Sequence, residues 1–172
     1  RREAKAMASL DHPNVISIYS INDSDGYHYF VMKYLEGESL LDRLRREEDE
    51  GSLPIPLSDA ISYLRDVCAG LGHAHRRGIL HRDIKPANLM VSHSGRVTVM
   101  DFGLVKNLDE EGTTQHGKIY GTPDYLSPEQ ALAQGGYTVA TDVYAVAVLS
   151  YELLSGQLPY QSVRQLDTIL QH

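Results

Sequence analysis

The sequence predicts an α+β fold in which a short β-rich part precedes a longer, mainly helical part. Three observations support this prediction. Residues 15–32 hold two runs of β-branched and aromatic residues around a polar turn, which is typical of a β-hairpin. Residues 58–77 place apolar side chains three and four positions apart, as an amphipathic helix does. Residues 142–155 are apolar on almost every face, which is typical of a buried helix.

The β-rich part is bounded by local stop and cap signals. In chain order we expect a helix at 1–10, which Asp-His-Pro at 11–13 ends. Strands follow at 15–21 and 27–32 around a turn at 22–26, and the β-rich part ends at Gly37. A helix capped by Ser39 is expected at 40–46. The acidic run at 47–51 is predicted to be a solvated loop.

The helical part has clear cap residues at both of its long helices. Ser58 is predicted to cap the first, which Gly78 ends, and Thr141 to cap the second, which Gly156 ends. The apolar positions of the first helix are Ile61, Leu64, Val67, Cys68, Leu71 and His75. Between the helices we expect a small hairpin at 89–100, a polar loop at 106–120 and a short helix that starts near Ser127.

Composition excludes several classes of protein. The 172 residues carry 16 Lys and Arg against 23 Asp and Glu, a net charge of −7, which argues against a general nucleic-acid binder. The lone cysteine, Cys68, cannot form an internal disulfide and fits a reducing compartment. No apolar run is long enough to span a bilayer. Because the chain opens on Arg1 and closes at His172 within a helical pattern, we expect it to be a piece of a longer protein.

One stretch concentrates the polar chemistry of the chain. Residues 81–91 read His-Arg-Asp-Ile-Lys-Pro-Ala-Asn-Leu-Met-Val, and a second apolar run at 97–100 leads into Asp-Phe-Gly at 101–103. A hairpin between the two apolar runs would deliver a set of polar side chains to one place, namely Asp83, Lys85, Asn88 and Asp101. Two carboxylates, an ammonium and an amide suit a hydroxyl, a phosphate and a hard cation such as Mg²⁺.

This pair of motifs resembles the catalytic loop and metal-binding turn of the eukaryotic-type protein kinases. The resemblance implies that Asp83 accepts the proton of the substrate hydroxyl, and that Asn88 and Asp101 hold Mg²⁺, with Mn²⁺ as an alternative ion. It implies that Lys85 contacts the transferred phosphate of ATP, as in kinases that act on Ser or Thr. A zinc site at His81 is disfavoured because no cysteine or carboxylate cluster completes a ligand set.

The resemblance extends upstream to the segment that joins the two lobes of a kinase. It implies that Met32 is the gatekeeper, that the backbone of Lys33 and Leu35 faces adenine, and that Met90 forms the floor below it. Lys33 departs from the family pattern, which usually has glutamate there. Glu3 matches the glutamate of the C-helix that pairs with the phosphate-anchoring lysine.

Downstream, residues 121–129 (Gly-Thr-Pro-Asp-Tyr-Leu-Ser-Pro-Glu) resemble the substrate-docking loop and the Ala-Pro-Glu motif, with Ser127 in place of alanine. The resemblance implies that Thr122 contacts Asp83 and Lys85 and that Glu129 is the glutamate of the motif. Arg82 beside the catalytic aspartate suggests activation by a phosphate in the preceding loop. Lys118, which cannot carry it, stands where many relatives have that phosphate. Thr113 and Thr114 provide hydroxyls a little earlier in the same polar loop, so we expect autophosphorylation at one of them.

Three further residues are implied to be structural. His81 is expected to pack under Phe102 in a spine that includes Met7 and Ile18. Asp142 matches the buried aspartate that holds the catalytic loop from below. A charge in so apolar a helix needs partners, and backbone N–H groups of the catalytic loop would supply them.

The resemblance covers part of a two-lobed kinase domain, with a remnant of the small lobe at 1–32, a hinge at 33–37 and the large lobe at 38–172, truncated at its C-terminal end. The sequence contains no glycine-rich loop before a strand and no Val-Ala-x-Lys strand. We therefore expect the chain alone to bind ATP weakly and to transfer little or no phosphate. The alternatives are a pseudokinase scaffold, which an upstream sequence without the lysine would favour, and a small-molecule phosphotransferase, which normally lacks Asp-Phe-Gly and the docking loop.

The motifs are most similar to those of bacterial Hanks-type Ser/Thr kinases. The resemblance implies protein substrates with Ser or Thr, a homodimer for autophosphorylation and a cytoplasmic kinase domain. It also implies an anchor to the inner membrane outside this chain.

Overall fold

The computed structural model describes residues 10–24, 27–102, 123–132 and 135–160 of the chain. The elements are the strands β1 (Ile18–Ser24), β2 (Tyr27–Met32), β3 (Glu38–Ser39), β4 (Leu89–Val91) and β5 (Val97–Val99), and the helices α1 (Leu40–Asp49), α2 (Leu57–His75), α3 (Pro128–Ala131) and α4 (Val139–Ser155), with 3₁₀ turns at Pro86–Asn88 and Pro123–Tyr125. This content confirms the α+β prediction. The predicted helix at 1–10 and the polar loop at 106–120 lie outside the described residues.

The strands form two small antiparallel sheets. β1 pairs with β2 from Ile18 opposite Met32 to Ser24 opposite Tyr27, which confirms the first hairpin. β4 pairs with β5 as predicted, and β3 adds a third strand on the other side of β4. β3 was not predicted, because a two-residue strand forms through a partner some fifty positions away rather than through a local pattern.

A short segment before β1 joins the β-rich part to the helical part. Val15 forms a parallel bridge with Val99 of β5. The Ile16 N–H donates to Val99 O at 3.0 Å, and the Val99 N–H donates to Asn14 O at 2.9 Å. The Asn14 side chain adds a buried bond from Nδ2 to Val97 O at 2.7 Å. These bonds fix the start of the hairpin against the edge of the second sheet.

Helix α1 begins where the sequence predicts and ends later. The Ser39 hydroxyl accepts the Asp42 N–H at 3.1 Å, which confirms the cap. The helix continues to Asp49, so the prediction of a loop over 47–51 is wrong for residues 47–49. Glu47 lies one helical turn after Arg43, at 3.7 Å, and this opposite-charge spacing supports the extra turn.

Helix α2 starts two residues earlier than predicted and buries a different face. Pro56 is its cap residue, and Ser58 lies in the first turn. Ile61 is 56% exposed and Cys68 is also exposed, so their predicted place on the buried face is wrong. The buried face contains glycine and alanine, which add no large apolar side chain to the three- and four-residue spacing and so were not predicted. Its residues are Ala60, Tyr63, Val67, Gly70, Leu71 and Ala74.

Helix α4 also differs from its predicted start and burial. Its cap is Thr138, whose hydroxyl accepts the Ala140 N–H at 3.2 Å, while Thr141 lies in the first turn and accepts the Thr138 N–H. The helix is buried along one face, but Val143 is 57% and Tyr151 51% exposed, so the prediction of burial on nearly all faces is wrong. Ser127 precedes α3 as predicted, and Gly156 follows α4.

The core joins the second sheet to three helices. Its fully buried side chains include Leu40 of α1, Val67 of α2, Leu89 and Val99 of the sheet, and Leu149 of α4. Burial of such side chains is the main favourable contribution to folding. The loop between α2 and β4, which holds residues 81–88, is therefore bounded by packed elements on both sides.

Helix α2 lies close to Asn14, in the segment before β1, at Gly70. Gly72, two positions later in the same helix, has more space around it and serves as a control. A Cβ at Gly70 would lie 2.6 Å from Asn14 O and 3.3 Å from Val99 Cγ2, whereas a Cβ at Gly72 would have Arg76 Nη1 at 3.6 Å as its nearest neighbour. We expect Gly70→Ala to lower the free energy of unfolding by about 1–3 kcal/mol through overpacking. We expect Gly72→Ala to raise it by up to about 1 kcal/mol through helix propensity. Urea denaturation measures both, and equal effects would contradict the close approach.

Candidate active site

The polar loop at residues 81–88 lies between α2 and β4 and ends in the 3₁₀ turn Pro86–Asn88. The Asn88 N–H donates to Lys85 O at 3.0 Å, which closes this turn. The Met100 N–H donates to Asn88 O at 2.9 Å. The second bond holds the residue just before Asp101 against the end of the loop, as the predicted hairpin requires.

The Asp142 carboxylate of α4 holds the start of the loop. Its Oδ1 accepts the Arg82 N–H at 2.7 Å and its Oδ2 accepts the His81 N–H at 2.9 Å. Oδ2 also accepts the Nε2–H of His75, from the last turn of α2, at 2.7 Å. Asp142 is 1% exposed, so these donors replace the water that a carboxylate would otherwise bind. The predicted bonds from loop N–H groups to Asp142 are present, whereas the bond from His75 was not predicted.

His81 connects the loop to the residues around Asp101. Its ring is fully buried and lies 4.7 Å, between centroids, from the ring of Phe102, so the predicted packing of these two rings is present. Nε2–H donates to Met100 O at 2.7 Å, and Nδ1 accepts the Asp83 N–H at 3.2 Å. This pair of bonds requires the neutral imidazole, and burial lowers the pKa of His81 below its ordinary value. Ile18 is buried in the same core, and Met7 lies outside the described residues.

The residues that follow His81 and its partner Met100 both have an unusual backbone conformation. Arg82 has φ 64° and Asp101 has φ 52°, in the left-handed region that non-glycine residues seldom adopt. Such conformations cost free energy and persist where surrounding bonds fix them. The bonds of Asp142 to the Arg82 N–H and of His81 to the Asp83 N–H flank the first of these two residues.

The Asp83 carboxylate is held by two side chains of its own loop. Lys85 Nζ lies 2.9 Å from Oδ2, and Asn88 Nδ2 donates to the same oxygen at 3.0 Å. Asn88 Nδ2 also donates to Asp83 O at 2.8 Å. The Lys85 and Asp83 side chains are 19% and 23% exposed, so the group remains in reach of a substrate. The structure therefore brings three of the four predicted catalytic residues into direct contact.

The fourth, Asp101, is exposed and is linked to the others through the backbone bond of Met100. Because both bonds of Asn88 to Asp83 use Nδ2, the amide oxygen of Asn88 is the atom left to ligate a cation. An amide oxygen and a carboxylate fit Mg²⁺, which takes few protein ligands and completes its shell with phosphate and water. Within the described ranges no cluster of three or more His, Cys, Asp or Glu could hold a metal by itself.

A second segment, residues 123–131, packs against the loop. Gln130 Nε2 of α3 donates to Arg82 O at 2.8 Å, and the Thr141 hydroxyl donates to Glu129 at 2.7 Å, which lowers the pKa of that carboxyl. The Tyr125 hydroxyl donates to Glu152 of α4 at 2.6 Å. Burial raises the pKa of both Tyr125 and Glu152. These bonds attach the segment to α4 and to the 81–88 loop.

The predicted hinge follows β2 directly. Met32 ends β2, and the Lys33 N–H donates to Ser17 O at 2.9 Å, which leaves its carbonyl for another partner. Leu35 is half-buried, and Met90 lies in the middle of β4 opposite Ser39 and Thr98. Glu3, Thr113, Thr114 and Thr122 lie outside the described residues.

A cleft of about 710 Å³ opens elsewhere, between α1, α2 and the turn after β4. Its lining includes Arg43, which pairs with Asp59 at 3.0 Å, and Arg46, which pairs with Glu38 at 2.7 Å. It contains none of the residues predicted to act in catalysis, and its arginines already have acidic partners. We therefore place the candidate site at the 81–88 loop.

The comparison with known families agrees with this geometry. The model of the family described as "Protein kinase domain" matches residues 1–172. The chain belongs to the protein kinase family. It is 37% identical over 173 residues to the serine/threonine-protein kinase PrkC of Bacillus subtilis and 36% identical over 177 residues to the serine/threonine-protein kinase PknB of Mycobacterium leprae. Both alignments cover the whole chain, which spans 26% and 28% of those relatives.

Family membership agrees with the α+β prediction and with the resemblance to bacterial Ser/Thr kinases. Of the helices that the structure describes, none is both long and apolar enough to cross a membrane.

The residue most clearly missed from sequence is Gln130. It lies three positions after Ser127, and its Oε1 accepts the Ser127 N–H at 3.1 Å. Ser-x-x-Gln before a helix is the pattern of a capping box, so the signal was present in the sequence. Its bond to the kinase loop could not be predicted, because Arg82 is 48 positions away.

The three bonds to Asp142 give a prediction on the stability of the kinase fold. In Asp142→Asn one carboxylate oxygen becomes an NH₂ group, which would face an N–H donor instead of accepting from it. We therefore expect this substitution to lower the free energy of unfolding by about 2–3 kcal/mol. Glu152→Gln makes the same chemical change in the same helix, but Tyr125 needs one acceptor only. We expect this control to cost less than about 1 kcal/mol. Denaturant unfolding compares the two, and equal losses would contradict the role of Asp142.

Proposed function

We propose that the protein transfers the γ-phosphate of ATP to Ser or Thr hydroxyls of protein substrates. The observation that supports this most directly is the Asp83 carboxylate, held by Lys85 and Asn88 and partly open to solvent. Membership of the protein kinase family and the similarity to proteins named serine/threonine-protein kinases support it as well.

In this mechanism Asp83 orients the attacking hydroxyl and accepts its proton. Its Oδ2 is fixed by Lys85 Nζ and Asn88 Nδ2, so the carboxylate does not have to reorganise when the substrate arrives. The Lys85 ammonium would contact a phosphate oxygen of the transferred group. Phosphoryl transfer depends mainly on such positioning and on electrostatic stabilisation, which this cluster supplies.

The same loop would hold the metal ion. Asn88 Oδ1 and the Asp101 carboxylate are the proposed Mg²⁺ ligands, with Mn²⁺ as an alternative ion. When bound, the ion neutralises charge on the phosphates of ATP. Met32, Lys33, Leu35 and Met90 are proposed to contact adenine, and Glu3 to pair with a lysine that this sequence does not contain.

Regulation and partners are proposed from the same family. Autophosphorylation at Thr113 or Thr114, in a homodimer of the complete protein, would supply a phosphate for Arg82 to pair with. Thr122 is proposed to contact Asp83 and Lys85. Protein substrates with Ser or Thr, a cytoplasmic kinase domain and a membrane anchor outside this chain complete the proposal.

Substitution of the proposed base tests the function. We expect Asp83→Asn in the complete protein to lower the rate of phosphate transfer from labelled ATP to a protein substrate by about 10²–10⁴-fold, the usual contribution of a general base. Asp49→Asn makes the same change at the exposed end of α1 and should leave the rate unchanged. A wild-type rate in Asp83→Asn would refute the mechanism, and ATP binding without any transfer by the wild type would favour a pseudokinase.

The missing ATP-binding elements give a second prediction. Because the 172-residue sequence contains neither a glycine-rich loop before a strand nor a Val-Ala-x-Lys strand, we expect the isolated chain to transfer phosphate far more slowly than the complete protein. The same labelled-ATP assay at equal molar concentration measures this. Equal rates would show that this sequence alone suffices.

A further inference from the structure

The short helix α3 makes a contact with the catalytic loop that the proposed mechanism does not use. Gln130 Nε2 donates to the carbonyl oxygen of Arg82 at 2.8 Å, across 48 positions of sequence. Arg82 is the residue with φ 64°, and its carbonyl belongs to the peptide unit that leads into Asp83. The contact therefore acts on the backbone directly before the proposed base.

The peptide unit between Arg82 and Asp83 is held at both of its polar atoms. Gln130 holds the carbonyl oxygen, and His81 Nδ1 accepts the N–H of Asp83 at 3.2 Å. The preceding unit is held by Asp142, which accepts the Arg82 N–H at 2.7 Å. Loss of the Gln130 bond would remove one of the two anchors of this peptide unit, and the direction of the Asp83 side chain depends on that peptide plane.

Gln130 is itself positioned by the segment that leads into α3. Its Oε1 accepts the Ser127 N–H at 3.1 Å and the Ser127 hydroxyl at 3.3 Å, so the orientation of the carboxamide is fixed. The space between this segment and the loop is a cavity of about 10 Å³, which is at the lower limit for a single water molecule. A displacement of the segment would therefore be felt at Arg82 through Gln130.

We infer that Gln130 is a positioning residue that couples the segment 123–131 to the orientation of Asp83. This inference rests on the proposed phosphotransferase function. The carboxamide has both of the groups that the coupling needs, since its oxygen accepts from Ser127 and its nitrogen donates to Arg82 O. A carboxylate could do only the first, and a thioether is only a weak acceptor and donates nothing.

Two variants of the complete protein separate the donated bond from charge. Gln130→Glu keeps the acceptor for Ser127 and loses the donor to Arg82 O, while Gln130→Met loses both without adding a charge. We expect kcat for phosphate transfer to fall about three- to tenfold in both variants, as expected when one neutral hydrogen bond that fixes the reacting geometry is lost. KM for ATP should stay the same, because the adenine contacts are elsewhere. The melting temperature should change little in Gln130→Glu, which retains the cap.

The control is Gln157→Glu, the same chemical change at an exposed position after α4, which should keep the wild-type kcat. A wild-type kcat in Gln130→Met, with or without a loss in Gln130→Glu, would overturn the inference, because the donated bond would then not matter. A loss of kcat that only follows the fraction of unfolded protein would overturn it too. An inactive wild type would refute the proposed function instead, so the two failures are distinguishable.

Discussion

The buried carboxylate of Asp142 is the constraint on which the rest of the site depends. A carboxylate that is 1% exposed has lost its water and must be compensated by donors of the protein. The donors come from two other places in the fold, the end of α2 through His75 and the 81–88 loop through the N–H groups of His81 and Arg82. The need to pair one charge therefore fixes α2, α4 and the loop relative to one another.

This kind of anchoring matters because the loop is not held by the regular backbone hydrogen bonds of a helix or a sheet. Between α2 and the turn at Pro86–Asn88, the described bonds to the loop backbone come mostly from side chains: Asp142, His81, Gln130 and Asn88. A neutral bond of this kind contributes about 1 kcal/mol, and the bonds to the Asp142 carboxylate contribute more. Besides stabilising the fold, these bonds set direction, since they hold Arg82 at φ 64° and so fix the backbone that carries Asp83. The neutral state of His81 belongs to the same set, because protonation at Nδ1 would replace the acceptor of the Asp83 N–H with a donor.

The parts of the structure that follow from local pattern could be predicted from the sequence. The two hairpins and the two long helices are local, and the motif residues stand close enough in sequence for their contact to be expected. The ends of the helices were harder, because Thr138 and Thr141 are both good caps and the helix uses them together. The face of α2 was misjudged because Gly70, which allows the close approach to Asn14, contributes no apolar side chain to a periodicity. β3 and the Gln130 contact depend on partners about fifty positions away, which a single sequence does not reveal.

The contacts of α4 explain why one apolar helix can organise a polar site. The helix carries one acidic contact near each of its ends. Asp142, near its start, receives the loop, and Glu152, near its end, receives the Tyr125 hydroxyl from the segment before α3. Because loop and segment are both attached to one helix, and to each other through Gln130, a movement of either must break a bond to the carboxylate of Asp142 or Glu152 or carry the other along. The geometry around Asp83 is therefore a property of the helix and both attached segments together, rather than of the loop sequence alone.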